Sequence, residues 1–442
     1  MREDQGVSAT DDAAPRRPWL LDVRPLTESP AYFRFWTSGV AGGIGTQLTA
    51  VAIGIHIYDL SGSTAAVALV GAFALAPMII MGVFGGTIVD AFDRRKVLIA
   101  ASSISFAAPV GIAAIAWAGV EQLWPYYVFT TLSATIGSLV GAARFAIHPR
   151  LVDRELLPAV AALSGVSAGL QTAVGPALAG VLVATVGFAW TYTIDVGLFL
   201  IGFWGIVSLP PIVPAGAVRV GLSALRDGLA FLRRAANLRT AIAMQVVAFA
   251  FGRTYALLPA VGTLVVGGGP MSVGVLAASA AVGVILSGLV SGRLGGVQRH
   301  GRAMALATGG FGVAIGIFGL LVLLFGIRHG GSVPAHTDTA ALIALASALV
   351  LAGIADNISS IFRTTMMQAA TPDEMRGRLQ GLFTLVLTAG PRLGDAIAGF
   401  AAALVALWFP PVVGAFVILV IVGLLYRLSP GFRRYDALEP QP

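Results

Sequence analysis

Along this chain, stretches of about 20 mostly apolar residues alternate with short polar breaks from Phe33 to Tyr426. A helix of that length, rising about 1.5 Å per residue, spans the roughly 30 Å hydrocarbon core of a bilayer. The breaks divide the pattern into twelve predicted helices: 33–58, 65–88, 97–118, 124–146, 158–185, 188–209, 239–261, 271–292, 303–326, 339–362, 378–402 and 405–426. The ten-residue apolar-out, polar-in alternation of barrel strands is absent. The pattern predicts an all-α polytopic membrane protein with twelve transmembrane helices.

The breaks are of two kinds. One set holds Arg94, Arg95 and Lys96; Arg150 and Arg154; Arg219 to Arg239; Arg293, Arg299 and Arg302; and Arg376 with Arg378. The alternate set, near Asp59, Glu121, Gly187, Gly268, Ser332 and Phe409, contains only Arg328. Basic loops stay on the cytoplasmic side, which predicts a multi-pass protein of the inner (plasma) membrane with both termini in the cytoplasm. That placement of both termini requires an even number of helices, which twelve supplies. Residues 1–30 lack the order of a cleavable signal peptide and read as a disordered cytoplasmic tail, with 427–442 as a second tail.

The longest internal connection, 210–238, contains "GLSALRDGLAFLRRAANLR", in which Leu222, Leu225, Leu229 and Leu232 share one helical face. This is expected to be an amphipathic basic helix lying along the cytoplasmic membrane surface. It separates two predicted six-helix bundles, 31–209 and 239–426. The two halves repeat one another. "FGGTIVDAFDRRKVLIA" follows the second helix as "SGRLGGVQRHGRAMA" follows the eighth. Arg144 and Arg363 align at the ends of the fourth and tenth helices, and "GPALAG" (175–180) recurs as "GPRLGD" (390–395). Two parallel pseudo-symmetric repeats facing a midplane site are one common layout of secondary transporters.

Composition agrees with a bilayer as solvent. Only 11% of the 442 residues are charged, against about 25% in soluble domains, and the mean hydropathy is +0.87. The net charge of +7 lies in one set of loops, so it reads as an orientation signal rather than a nucleic-acid surface. With no cysteine and five scattered histidines, no metal centre is expected. No GxxxxGK[ST] loop is present, so neither ATP-driven transport nor a cofactor is expected, and no catalytic residue is assigned. The expected partners are a small-molecule substrate, protons and membrane lipid, acting on a monomer.

"GGTIVDAFDRRKVL" resembles the loop between the second and third helices of the major facilitator superfamily, with Gly86, Asp90, Arg94, Arg95 and Leu98 on matching positions. Ala91 stands in place of the usual arginine and Asp93 in place of the usual glycine. "AVGPALAG", with Gly175 and Pro176, resembles the fifth-helix motif of drug/proton antiporters, though Gln171 occupies a glycine position of that motif. "LTAVAIGIHIYDLSGS", "PRLVDRELLPAVAALSG" and "MRGRLQGLFTLVLTAGPRLGDAIAG" are similar to the third drug/proton antiporter family, and within it to the type that exports the siderophore enterobactin. The resemblance covers 30–427. It implies the major facilitator fold and proton-coupled export by alternating access. A siderophore or another amphipathic small molecule is the implied substrate. Multidrug or macrolide efflux is the alternative, and small-solute import the more distant one.

Charged side chains inside the spans are the candidates for that chemistry. An ionised carboxylate at mid-membrane costs roughly 2.5–3.5 kcal/mol on the insertion scale, so each needs a partner or a proton. Asp195, Asp356 and Asp395 are the proton-coupling candidates. Gln47, Gln171, Gln245, Phe251, Arg253, Tyr255, Asn357 and Arg392 are the substrate-binding candidates, and each has a structural reading beside the functional one. Arg253 is expected to face an acid or an anionic ligand. Arg392 and Asp395, one turn apart, are expected to neutralise each other. The resemblance implies a gating role for Asp90 with Arg94 and Arg95. Arg144 and Arg363 read either as gating groups or as orientation signals snorkelling to the interface.

Overall fold

The computed structural model describes residues 22–147, 151–209, 222–289, 294, 296–330, 332–437 and 441. Several side chains inside helices also lie outside the described set, among them Gly86, Asp90, Arg154, Glu374, Arg376 and Arg378. So do Arg150, Arg219 and Arg293 with their backbone. The gate expected at Gly86 and Asp90 therefore falls outside the described side chains.

Among the described residues the regular structure is helical. The long helices are α1 (Pro30–Ser61), α2 (Thr64–Ala91), α3 (Arg94–Trp117), α4 (Trp124–Ile147), α5 (Leu157–Val207), α6 (Leu222–Arg234), α7 (Ala236–Gly252), α8 (Gly269–Leu289), α9 (His300–Arg328), α10 (Thr339–Ala370), α11 (Asp373–Leu404) and α12 (Phe409–Leu428). Polar side chains start several of them by accepting orphan backbone N–H groups: Ser29 from Tyr32, Ser63 from Ala66, Asp93 from Arg95 and Asp338 from Ala341. At Asp338 this bond from Ala341, helped by His329, holds the carboxyl below its ordinary range. Gly62 ends α1 in the left-handed region, at φ 62°, which suits a residue without Cβ.

Among the described residues, ten segments are long and apolar enough to cross a membrane. One of them is α5, which holds the two expected spans, 158–185 and 188–209, as two helical arms joined at Gly187, whose backbone is not helical (φ 79°, ψ 177°). No turn residue other than glycine separates the arms, so helical hydrogen bonding runs up to the bend on both sides. The 32-residue α11 also has span length and carries Arg392 and Asp395 within it.

The expected seventh span, 239–261, is not one helix. α7 stops at Gly252, Arg253 is extended (ψ 132°), and the chain resumes through a short turn at Tyr255–Leu257 and a π turn at Val261–Val265. Glycine is a weak helix former, and Pro259, lacking an N–H, begins the next turn without losing a bond. Backbone polar groups are thus freed beside the centre of the molecule.

The apolar cores show how the two halves of the chain meet. One core joins both halves, with Leu48 to Ile57 of α1, Val67 and Ala68 of α2 and Ala179 of α5 packed on Ala256 to Val266, Val273 and Ala398. Thr64 Oγ1 also donates across the halves to the Gly399 carbonyl (2.9 Å). At the other end the cores separate. Phe35, Leu98, Leu139 and Ile206 pack within residues before 210, and Leu238, Met304, Phe383 and Phe432 pack within residues after 222. That second end carries the arginine-rich loops. α6 sits there against α11 and α7, with Leu232 buried in the core and Leu229 exposed.

Candidate functional site

Where the cores separate, a cavity of about 920 Å³ lies between the halves. Ser38, Arg144, Ser164 and Gln380 line it near the basic end, and Ile53, Ile112, Tyr255 and Pro259 line its depth. At the opposite end the shared core closes it. Tight helix crossings make that closure possible. A Cβ added to Gly180 of α5 would lie 2.7 Å from the Gly274 Cα of α8, so these two backbones touch.

Asp195 lines the cavity from the second arm of α5 and is 6% exposed. Thr49 Oγ1 donates to its carboxylate at 2.5 Å, and Gly45 leaves room for it, since a Cβ there would collide with Asp195. No described cation lies within ion-pair distance of it. Nearby, Gln171 lines the same wall and donates to Ser167 Oγ (2.8 Å) and the Gly39 carbonyl (3.2 Å). Arg144 donates to Ser38 Oγ (3.0 Å) and stacks over Phe35 (5.0 Å). It faces the cavity rather than reaching out to the interface.

On the other wall the charges do not pair as their spacing suggests. Asp395 lies 3.8 Å from Arg253 of the α7 break, and no ion pair joins it to Arg392. Packing explains the choice. Gly390 and Gly394 bring α11 against α7, for a Cβ at either position would meet Phe249 or Arg253. Asp395, next to that glycine face, is turned toward Arg253. Arg392 faces away, against Gly71 of α2, with its Cδ 3.5 Å from where a Cβ there would sit. Arg392, Asp395 and Tyr255 line the cavity, while Arg253 stands behind them. Tyr255 lies within electrostatic range of all three charges.

A second polar cluster lies outside the cavity wall. Arg363 is 2% exposed, so it does not snorkel to the interface; its guanidinium donates to Gln245 Oε1 and to Ser360 Oγ (3.0 Å) and stacks over Phe383 (5.3 Å). Asp356 lies in electrostatic reach of Arg363 and then of Arg253. Asn357 donates to Ser287 Oγ (2.9 Å) and ties α10 to α8. Gln47 packs beside Gly175, and Phe251 packs beneath Gly414 of α12. None of Gln47, Gln245, Phe251, Arg253, Asp356 and Asn357 is among the cavity-lining residues. Arg95 donates to the Val207 carbonyl (2.8 Å), tying α3 to the end of α5, and Arg94 begins α3. Pro176 lies within α5 near its crossing with α8. The cavity's hydroxyl wall, with Ser102, Ser105, Ser133 and Thr388, was not singled out from the sequence. Serines and threonines in spans that bond back to their own helix give no pattern that marks a cavity.

Two helical halves sealed together at one end, around a cavity open at the other, are the architecture of a membrane carrier. The family described as transmembrane secretion effector matches residues 23–440, and the chain belongs to that family of the major facilitator superfamily. The enterobactin exporter EntS of Citrobacter koseri is 29% identical over 97% of this chain and 98% of its own. EntS of Shigella boydii is 28% identical over 96% and 98%. Among solved structures, a POT family transporter in complex with 5-aminolevulinic acid superposes with a TM-score of 0.71 at 10% identity, covering 92% of this chain and 97% of that one. A bacterial homologue of the iron transporter ferroportin, in an inward-facing state, gives 0.63 at 15% identity, covering 93% and 99%. These relatives and neighbours are membrane transporters, not enzymes.

Proposed function

We propose that the protein exports an amphipathic, oxygen-rich small molecule of the siderophore class in exchange for protons, by rocking of its two halves. The observation that carries this reading is the cavity. It is open at the arginine-rich end, closed at the other by a core both halves share, and large enough for a drug-sized ligand. The arginine asymmetry supports placing that end and both termini in the cytoplasm of a cell with this protein in its plasma membrane. Substrate then enters from the cytoplasm and leaves when the shared core parts. Enterobactin exporters among the relatives support the substrate class.

Asp195 is the acid suited to carry the proton. It faces the cavity without a described counter-cation, whereas Asp395 faces Arg253 and Asp356 faces Arg363. Reconstitution into vesicles with an imposed pH gradient tests the reading. Uphill movement of a catechol siderophore is expected to depend on the gradient. Asp195→Asn is expected to lower that uphill rate about tenfold or more while substrate exchange, which needs no net proton transfer, continues. Movement indifferent to the gradient overturns proton coupling; movement of macrolides but not siderophores overturns the substrate class.

A further inference from the structure

From the charges around the cavity we infer that Arg392 is a subsite for an organic anion, and that the substrate is a monoanion at the position it occupies there. The inference rests on the cavity being the substrate route and adds the chemistry of one contact. Four described charged residues line the cavity: Arg144, Asp195, Arg392 and Asp395. Arg253 stands behind Asp395 at 3.8 Å. With every group ionised, the three arginines exceed the two aspartates by one; Asp356, which also reaches Arg253, is matched by Arg363, so one positive charge is left and a bound monoanion balances it.

Location decides which arginine takes the anion. Arg144 is already held by Ser38 Oγ and the Phe35 carbonyl at the mouth. Arg253 is behind the wall and shares Asp395. Arg392 is half-buried on the wall, and no described carboxylate lies within ion-pair distance of it. Its backbone abuts Gly71 of α2, so an anion on its guanidinium sits where the two halves meet. A guanidinium shielded from bulk water binds an oxyanion more strongly than the same group in solution, because competing hydration is reduced. The cavity lining as a whole is largely apolar, including Ala256 and Leu258, so the rest of the ligand is expected to be aromatic or aliphatic. Asp395 is a positioning residue here: it balances Arg253 and keeps the subsite from attracting a dianion.

Two dyes that share one fluorophore test this. 8-Anilinonaphthalene-1-sulfonate carries a sulfonate, and N-phenyl-1-naphthylamine is the same ring system without it. Both are titrated into the full-length protein in lipid nanodiscs, with empty nanodiscs as background. The wild type is expected to prefer the anion. Arg392→Gln is expected to weaken the anion about tenfold or more and leave the neutral dye within about twofold. Arg392→Lys is expected to keep part of the preference, and Asp395→Asn to strengthen it. Equal loss of both dyes in Arg392→Gln, with Arg392→Lys no better, makes Arg392 a packing residue and overturns the inference. So does a wild-type preference for the neutral dye, or an anion affinity that Arg392→Gln leaves unchanged. Failure of the wild type to bind either dye while it still transports also overturns the anion subsite; failure to transport at all falls on the export reading instead.

Discussion

Arg363 shows how much a single side chain's surroundings matter. By sequence it matches Arg144 and ends a span on the basic side, where a snorkelling arginine is the ordinary reading. In the folded protein it is buried, with Gln245, Ser360 and the Phe383 ring around it and Asp356 in electrostatic reach. Removing one member of a buried charge cluster leaves the other without compensation, at roughly 3–5 kcal/mol. Arg363→Ala is therefore expected to lower unfolding stability in detergent by that order. A loss under about 1 kcal/mol in a denaturant titration would show that the cluster is solvated. Asp195 and Asp395 could be picked out as intramembrane acids from the sequence, but not which of them has a cation. Arg253 is 142 positions from Asp395 in the chain, and only the approach of α7 to α11 brings them to 3.8 Å.

At the level of elements, span positions were legible because hydropathy is a local property and bilayer thickness sets the length. The Gly-Pro recurrence at 175–176 and 390–391 marked two helices that both pack across the halves. What it did not reveal is the contact each makes. On α5 the operative residue is Gly180, set against Gly274 and the Pro270 carbonyl. Gly180→Val would force those backbones apart, and overpacking of this kind costs about 1–3 kcal/mol. The state sealed at the non-basic end is then expected to lose population about tenfold. The chain has no cysteine, so spin labels on Glu121→Cys and His336→Cys, both exposed at that end, report the change directly. An unaltered distance distribution would mean this crossing does not gate the far end. The break in α7 had a signal too, since Gly252 and Pro259 bracket it. Yet both residues also occur inside unbroken helices here, as Pro77 and Pro109 do.

For the whole molecule, the proposed exchange moves charge in one electrical sense. An exported monoanion and an imported proton each transfer positive charge inward, and each gains about 2.3 kcal/mol per 100 mV of membrane potential. A potassium diffusion potential, negative on the basic side of reconstituted vesicles, is expected to speed export of an anionic substrate more than that of its neutral analogue. Equal acceleration of the two would remove the charge on the substrate from the account.

The sequence by itself determined the solvent of this protein, the positions of most of its spans and the end that carries its basic loops. These follow from hydropathy, length and charge counts, which need no knowledge of neighbours. The tertiary structure alone decided the partners. "GPRLGD" looks like a self-contained ion pair, but its two glycines press α11 onto α7 and turn Asp395 to Arg253, leaving Arg392 on the cavity wall. Which way a helical side chain points depends on the rotation that packing imposes on the whole helix, and that rotation is set by residues far away in the chain.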